Sequence, residues 1–244
     1  MKKYLLGLVA ILMALTSKAA TPSFIQEYGG WFESAYVMWD KTEGYDYNVY
    51  ISPASSDAWV KLDDELVREY PTYGRADALG LQAGSYQFKI VPISDGNEMG
   101  SGVTGAFEVK AHDRSGFAHV GVTDGIGAYK NDGTLKDNAK VLYVWAGNAK
   151  TVTCDVVTSS KGAKKTGHGL QDIITLYQKG YDTTPLAIRI IGTIKAGDMD
   201  RFDSSAEGLQ VKGKSNYSQV PITIEGVGFD ATLYGFGILC RNVS

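Results

Sequence analysis

The sequence predicts an all-β protein of two units: a β-sandwich over residues 21–110, then the start of a parallel β-helix over residues 114–244 with an N-terminal capping α-helix. Three observations carry this. Residues 35–111 alternate apolar and polar in short runs separated by turns, the period of half-buried strands. Residues 186–244 form short β-branched runs ended by Gly, Lys or Asn, too closely spaced for hairpins. Between them lies one stretch whose apolar period is helical.

With 44% hydrophobic residues over 244 positions, the chain can build one large or two modest cores. Its net charge is −3 and its Lys and Arg residues are scattered, so it lacks the basic footprint of a nucleic-acid-binding surface. The first twenty residues, MKKYLLGLVAILMALTSKAA, have two lysines, an apolar run from Tyr4 to Leu15 and then small residues. This is the pattern of a secretory signal peptide spanning residues 1–19, with Ser17 and Ala19 at the −3 and −1 positions. The apolar run falls short of the roughly 20 residues a membrane span needs. The expected mature protein is secreted, extracellular or periplasmic, without a membrane span. No cysteine stands at the cleavage point, so a lipid anchor is not indicated.

In the first unit, 35-AYVMWD-40 and 45-YDYNVYIS-52 read as strand, turn, strand. Next, 79-LGLQAGSYQFKIVPIS-94 passes a turn at Gly84 and places Tyr86, Phe88, Ile90 and Pro92 on one face; 104-TGAFEVKA-111 is the last candidate strand. Trp39 is expected to fill the space between two sheets. These residues resemble a fibronectin type III domain: the core-strand Trp39, the strand 47-YNVYI-51, and 79-LGLQAGSY-86 with its leucine, Gly turn and tyrosine. The resemblance implies that Tyr86 is a structural hydrogen-bonding residue of a tyrosine corner. The functional alternative is that Trp31, Trp59 and the tyrosines form a sugar-stacking platform, against which stands the common use of aromatic rings as core.

Around 111-AHDRSGFAHVG-121 the alternation fades, and the junction is expected near Asp113. Asp124, Asn131, Asp132 and Asp137 do not have EF-hand spacing and read as turn formers, with Asn131-Asp132-Gly133 as a turn. A strand follows at 151-TVTCDVV-157. Leu170, Ile173, Ile174 and Tyr177 then recur at i, i+3, i+4 and i+7, which predicts a helix over 170–179 ended by a left-handed Gly180. The last runs, 186-LAIRIIGTI-194, 208-GLQVKG-213, 221-PITIEGVG-228, 232-TLYGFG-237 and 238-ILCRNVS-244, align at an offset of roughly 23 residues, within the range of solenoid repeats. The helix would cap the first coil, since no single coil can bury its own inner face. Cys154 and Cys240, both in apolar alternating runs, read as two core thiols.

The order of these pieces carries a second resemblance. The run 126-IGAYKNDGTLKDNAKVLYV-144, the helix 169-GLQDIITLYQKG-180, the strand 186-LAIRIIGTI-194, 207-EGLQVKGKSNY-217 and 222-ITIEGVGFDATLYGFGILCRN-242 together resemble the opening of a secreted bacterial pectate lyase of polysaccharide lyase family 1. The resemblance covers about half the chain and implies a right-handed β-helix that cleaves polygalacturonate, or pectin, by β-elimination. It also implies calcium, bridging the uronate carboxylate to acidic side chains, and an arginine as the base that takes the C5 proton. In the family both lie on coils after the one ending here at Asn242. Arg189 and Arg241 therefore do not inherit the base role, and no catalytic, cofactor-binding or metal residue is assigned in this chain. Asp198, Asp200 and Asp203 form the one close acidic group of the second unit and read as a solvated loop.

His112, His119 and His168 lack HExxH spacing and a Cys–His partner set, and 226-GVG-228 lacks the third glycine of a phosphate-cradling loop. The expected function is thus a pectate lyase-like protein without its catalytic coils, inactive alone and monomeric. Its last coil would present an unpaired apolar end. The alternative is a non-catalytic secreted carbohydrate-binding or adhesive β-solenoid.

Overall fold

A computed structural model describes residues 25–202, 208–215 and 220–242. The signal peptide read in residues 1–19, and Asp203, lie outside the described residues. What is described is mostly β with one α-helix. No helix among the described residues is long and apolar enough to cross a membrane.

The first ten strands are β1 (Ile25–Gly30), β2 (Ser34–Asp40), β3 (Asp46–Pro53), β4 (Val60–Lys61), β5 (Val67–Glu69), β6 (Tyr73–Leu79), β7 (Gly84–Ser94), β8 (Asn97–Glu98), β9 (Gly102–Val103) and β10 (Phe107–Val109). They form two antiparallel sheets, one in the order β1-β2-β6-β5, the other in the order β10-β7-β3-β4 with β8 and β9 along β7. Inward-pointing residues of both share one core, including Val37, Trp39, Val49, Ala76, Phe88 and Ile90. Trp39 is completely buried, as its place in an alternating strand predicts. Its indole needs Gly74 on the neighbouring strand, where a Cβ would come within 2.2 Å of the ring. The Tyr86 hydroxyl donates to the Gln82 carbonyl, 3.0 Å away and four residues upstream.

The later elements are β11 (Lys140–Val144), β12 (Thr153–Val157), β13 (Lys164–His168), α1 (Leu170–Tyr177), β14 (Leu186–Lys195), β15 (Gly208–Lys212), β16 (Ile222–Tyr234) and β17 (Gly237–Arg241). Parallel pairing joins β11, β14 and β16 in one sheet and β15 and β17 in another. Leu186 lies beside Ile222, Thr193 beside Thr232 and Gly208 beside Gly237. Two successive circuits of the chain thus lie one on the other through three separate stretches of parallel pairing. Both circuits bend at the same place, at Gly192 in β14 and at residues 228–231 in β16; Gly192 and Gly228 take left-handed backbones there, with φ of 61° and 74°.

This register corrects the 23-residue offset. Segment 208–212 does not lie beside 186–191, and the paired positions are more than 23 residues apart and unevenly spaced. Parallel stacking fixes register only where strands touch, so the corner loops are free to differ in length. The runs read separately at 221–228 and 232–237 are largely one bent strand, β16.

The inner faces of the circuits are apolar. Leu186, Ile188, Ile194 and Leu209 are fully buried together with Leu170, Ile173 and Ile174 of α1. The helix ends at Tyr177, two residues earlier than expected, and Gly180 has the left-handed backbone, φ 68°. It closes one edge of β15 chemically as well as sterically. The Gln210 N–H donates to the buried Gln171 Oε1 (2.8 Å), and Gln171 Nε2 donates to the Gln210 carbonyl (3.1 Å). One side chain therefore supplies the two backbone bonds that a neighbouring strand would otherwise make.

Of the two thiols expected in the core, one is there. Cys154 is buried, but Cys240 is exposed, and both are free. Cys240 pairs in register with the inward-facing Val211, as Ile238 does with Leu209, so it continues the inner face. Among the described residues no further strand pairs with the outer edge of β17, and Ile238 and Cys240 are open for that reason.

Candidate functional site

The sheet β11-β14-β16 has a second, outward face. In-register pairing sets Tyr143, Arg189 and Glu225 in one row across its three strands. Arg189 is 3% exposed. Its Nε donates to Glu225 (2.9 Å), Nη1 to the Tyr143 hydroxyl (2.8 Å) and Nη2 to the Tyr129 hydroxyl (3.3 Å). Tyr129 in turn donates to Glu225 and Tyr143 to Asp63 of the first unit, each at 2.5 Å. Burial alone would lower the Arg189 pKa, but the charges and oxygens of Tyr129, Tyr143 and Glu225 outweigh it and raise it above the ordinary arginine value. Burial, followed by Glu225 at Tyr129 and by Asp63 at Tyr143, raises both phenols. Arg189 is therefore held protonated, the opposite of what a proton-abstracting arginine requires.

This face is where the first unit docks. Val227 is fully buried in the core cluster of the first unit, and Tyr143 and Ile191 pack against the same cluster. Beside them Arg68 of β5 donates to Asp230 (2.8 Å), to the Val227 carbonyl (3.2 Å) and to Tyr70 (2.9 Å), and pairs with Asp77. Arg75 of β6 makes a two-point contact with the same Asp77, at 2.7 and 2.9 Å, and stacks over Phe229. Tyr70 donates to Asp230 at 2.7 Å. Arg68, Arg75 and Asp77 are thus buried on the outer face of β5 and β6, covered by the second unit.

The two units leave a cleft of about 470 Å³ between them. Trp31, Phe32, His112, Ile126, Tyr129 and Glu225 line it, with Glu33 and Arg114 to one side. Phe32 stacks on His112 with ring centres 5.1 Å apart, and Trp31 meets Phe32 edge-on at 5.6 Å. Glu33 is 8% exposed; both its oxygens accept from Arg114, and the His112 N–H donates to one of them at 3.1 Å. Burial would raise the Glu33 pKa, yet these hydrogen bonds hold it below the ordinary value.

The other residues singled out by sequence fall in separate places. Trp59 is not in the cleft; its ring and that of Tyr50 flank the Lys89 ammonium on the other sheet. Asp198 accepts from the Lys195 N–H at 2.8 Å. Asp200 is no solvated acid: its two oxygens accept from the N–H groups of Gln171 and Asp172 at 3.0 and 3.1 Å, so it caps α1 from across the fold. Among the described residues no group of three metal-ligating side chains occurs. Asp132 accepts from the Thr134 N–H and hydroxyl, Asn131 donates to the Thr123 carbonyl, and Asp137 pairs with Lys130, so these are turn residues. His119 and His168 are outside the cleft, and Arg241 is exposed on β17. No family model matches the chain, and no curated protein matches it.

Proposed function

We propose that this chain is the capped N-terminal part of a pectate lyase-like protein, a parallel β-helix that acts on polygalacturonate, carrying a fibronectin type III-like sandwich at its front. The observation that carries the reading is the stacking of one chain circuit on the next: 186–191 on 222–227, 193–195 on 232–234, and 208–212 on 237–241, all parallel. A helix closes one edge of that stack through Gln171, as the start of a solenoid requires. The residues that build these strands and the helix are the ones that resemble polysaccharide lyase family 1.

On this reading the chain's own residues form the start of the scaffold. Arg189 holds the Tyr143 hydroxyl that meets Asp63, Arg68 bonds Asp230 across the junction, and Asp200 fixes the cap. Calcium, held on further coils stacked against β16 and β17, would supply the Lewis-acid chemistry on the uronate carboxylate. The experiment compares the 244-residue chain with a version extended by the coding sequence downstream of Ser244, both given polygalacturonate and calcium. The extended protein is expected to release unsaturated uronides and the shorter one none. Unsaturated product from the 244-residue chain, or saturated hydrolysis products from the extended one, would overturn the reading.

A further inference from the structure

The cleft between the two units is not part of the proposed lyase chemistry, and its composition suits a different ligand. Trp31 is 68% exposed, while its backbone is hydrogen-bonded on both sides. The Trp31 N–H donates to the Ser34 carbonyl (2.8 Å), the Lys110 N–H to the Trp31 carbonyl (2.9 Å) and the Glu33 N–H to the Lys110 carbonyl (2.8 Å). Glu33 completes this arch in a left-handed backbone conformation, φ 50°, which a residue with a Cβ adopts only when its surroundings impose it. An exposed indole on a rigid arch loses little freedom when a flat apolar face settles on it.

The charges beside it are already matched. The Glu33 carboxylate is paired with Arg114 and the Glu225 carboxylate with Arg189. Neither guanidinium is left over for an incoming anion, and a uronate would add a third carboxylate to the cleft. What the cleft offers is an aromatic platform and the partly exposed Glu225 carboxylate, a set suited to hydroxyl donors on a ring with an apolar face. Its volume of about 470 Å³ lies within the usual range for small-ligand sites, roughly 300–1,000 Å³.

We propose that this cleft binds a neutral pyranose residue of a polysaccharide, with one sugar face stacked on Trp31 and its hydroxyls donating to Glu225. The site would anchor the protein on a neutral polysaccharide. It stands independently of the lyase reading, since it needs no further coil and no metal.

The test uses the 244-residue chain. Tetrasaccharides of galactan, xylan, glucan and mannan, and tetragalacturonate, are titrated in by calorimetry and tryptophan fluorescence. At least one neutral tetrasaccharide is expected to bind more tightly than tetragalacturonate. Trp31→Ala, at an exposed position, should weaken that binding about tenfold, the effect of losing one aromatic contact. Ile126→Trp, which adds bulk to the lining, should also weaken it, whereas Trp59→Ala should not. Absence of binding by every neutral tetrasaccharide, tighter binding of tetragalacturonate, or unchanged affinity in Trp31→Ala would each overturn the proposal. None of these results bears on whether unsaturated uronides are formed.

Discussion

The two faces of the β11-β14-β16 sheet are held by different physics. On the inner face Leu142, Ile188 and Ile224 form one cross-strand row, and Leu186 and Ile222 lie in another; all pack among the residues of the core beneath α1. On the outer face the row Tyr143, Arg189, Glu225 is polar and is closed by Tyr129 and Asp63. Apolar burial is non-directional, so it rewards any arrangement that excludes water. The bonds that cross to the first unit, from the Tyr143 hydroxyl to Asp63 and from Arg68 to Asp230 and the Val227 carbonyl, are satisfied in only one geometry, and so they fix how that unit sits. The inner face should therefore dominate stability, and the outer face should dominate the specificity of docking.

Ile188→Ala is the strongest way to test that contrast. Ile188 is fully buried in the middle strand, with neighbours on both sides. Removing its branched side chain leaves a cavity that the sheet cannot collapse into, and the expected loss is about 3–4 kcal/mol. A shift of the urea midpoint at unchanged slope would measure it. A loss below about 1 kcal/mol would mean that the inner face is loosely filled and that the contrast is misdrawn.

Arg189→Met comes next, with an expected loss of about 2–3 kcal/mol, because Glu225 would keep a charge near the docked face without its cation. The Glu225 side chain is 21% exposed, and water can partly replace the lost partner, which places the effect below that of a fully buried pair. The double variant Arg189→Met, Glu225→Leu should recover much of the loss. Amide protons around Asp63 should nevertheless exchange faster, since Tyr143 loses the guanidinium that orients its hydroxyl toward that carboxylate. Full recovery of both stability and exchange protection would show the outer row to be ordinary packing.

The same contrast explains what could be read from sequence. Strand β14 was visible because LAIRIIGTI is apolar at nearly every position, and α1 because its buried residues recur at helical spacing. Trp39 is legible as a large residue in an alternating strand, whereas the hydrogen-bonding role of Tyr86 comes from the resemblance alone. Strands β5 and β6 were missed, because VRE and YGRADAL carry Arg68, Arg75 and Asp77, which count as surface residues until a partner covers them. Nothing local announces that Asp230, more than 150 residues away, will supply that cover. Asp200 was misjudged in the same way: an acid in a polar loop looks solvated unless the helix end it caps is known to be adjacent. The Trp31 cleft could not be assembled at all, since its walls come from two units whose contact depends on those buried charges.

The smallest expected effect is at the cap over the inner face, and it depends on pH. Asp172, in the first turn of α1, accepts from the His168 N–H at 3.0 Å and pairs with Arg201 at 3.0 Å. Burial would raise its pKa, but the His168 N–H and the Arg201 charge outweigh that and hold it below the ordinary 3.8. The unfolded chain therefore takes up this proton more readily than the folded one. The stabilisation is fully present above the unfolded value of 3.8 and is lost as pH falls through the lower folded value. Arg201 is 43% exposed, so solvent screens the pair and its worth is a few tenths of a kcal/mol to about 1 kcal/mol. Asp172→Asn should cost that much in urea unfolding at pH 7 and at pH 5, and the gap between the two proteins should close toward pH 3. A gap independent of pH would mean that Asp172 holds the helix start by shape and hydrogen bonding alone, leaving the cap over the inner face as indifferent to charge as the core beneath it.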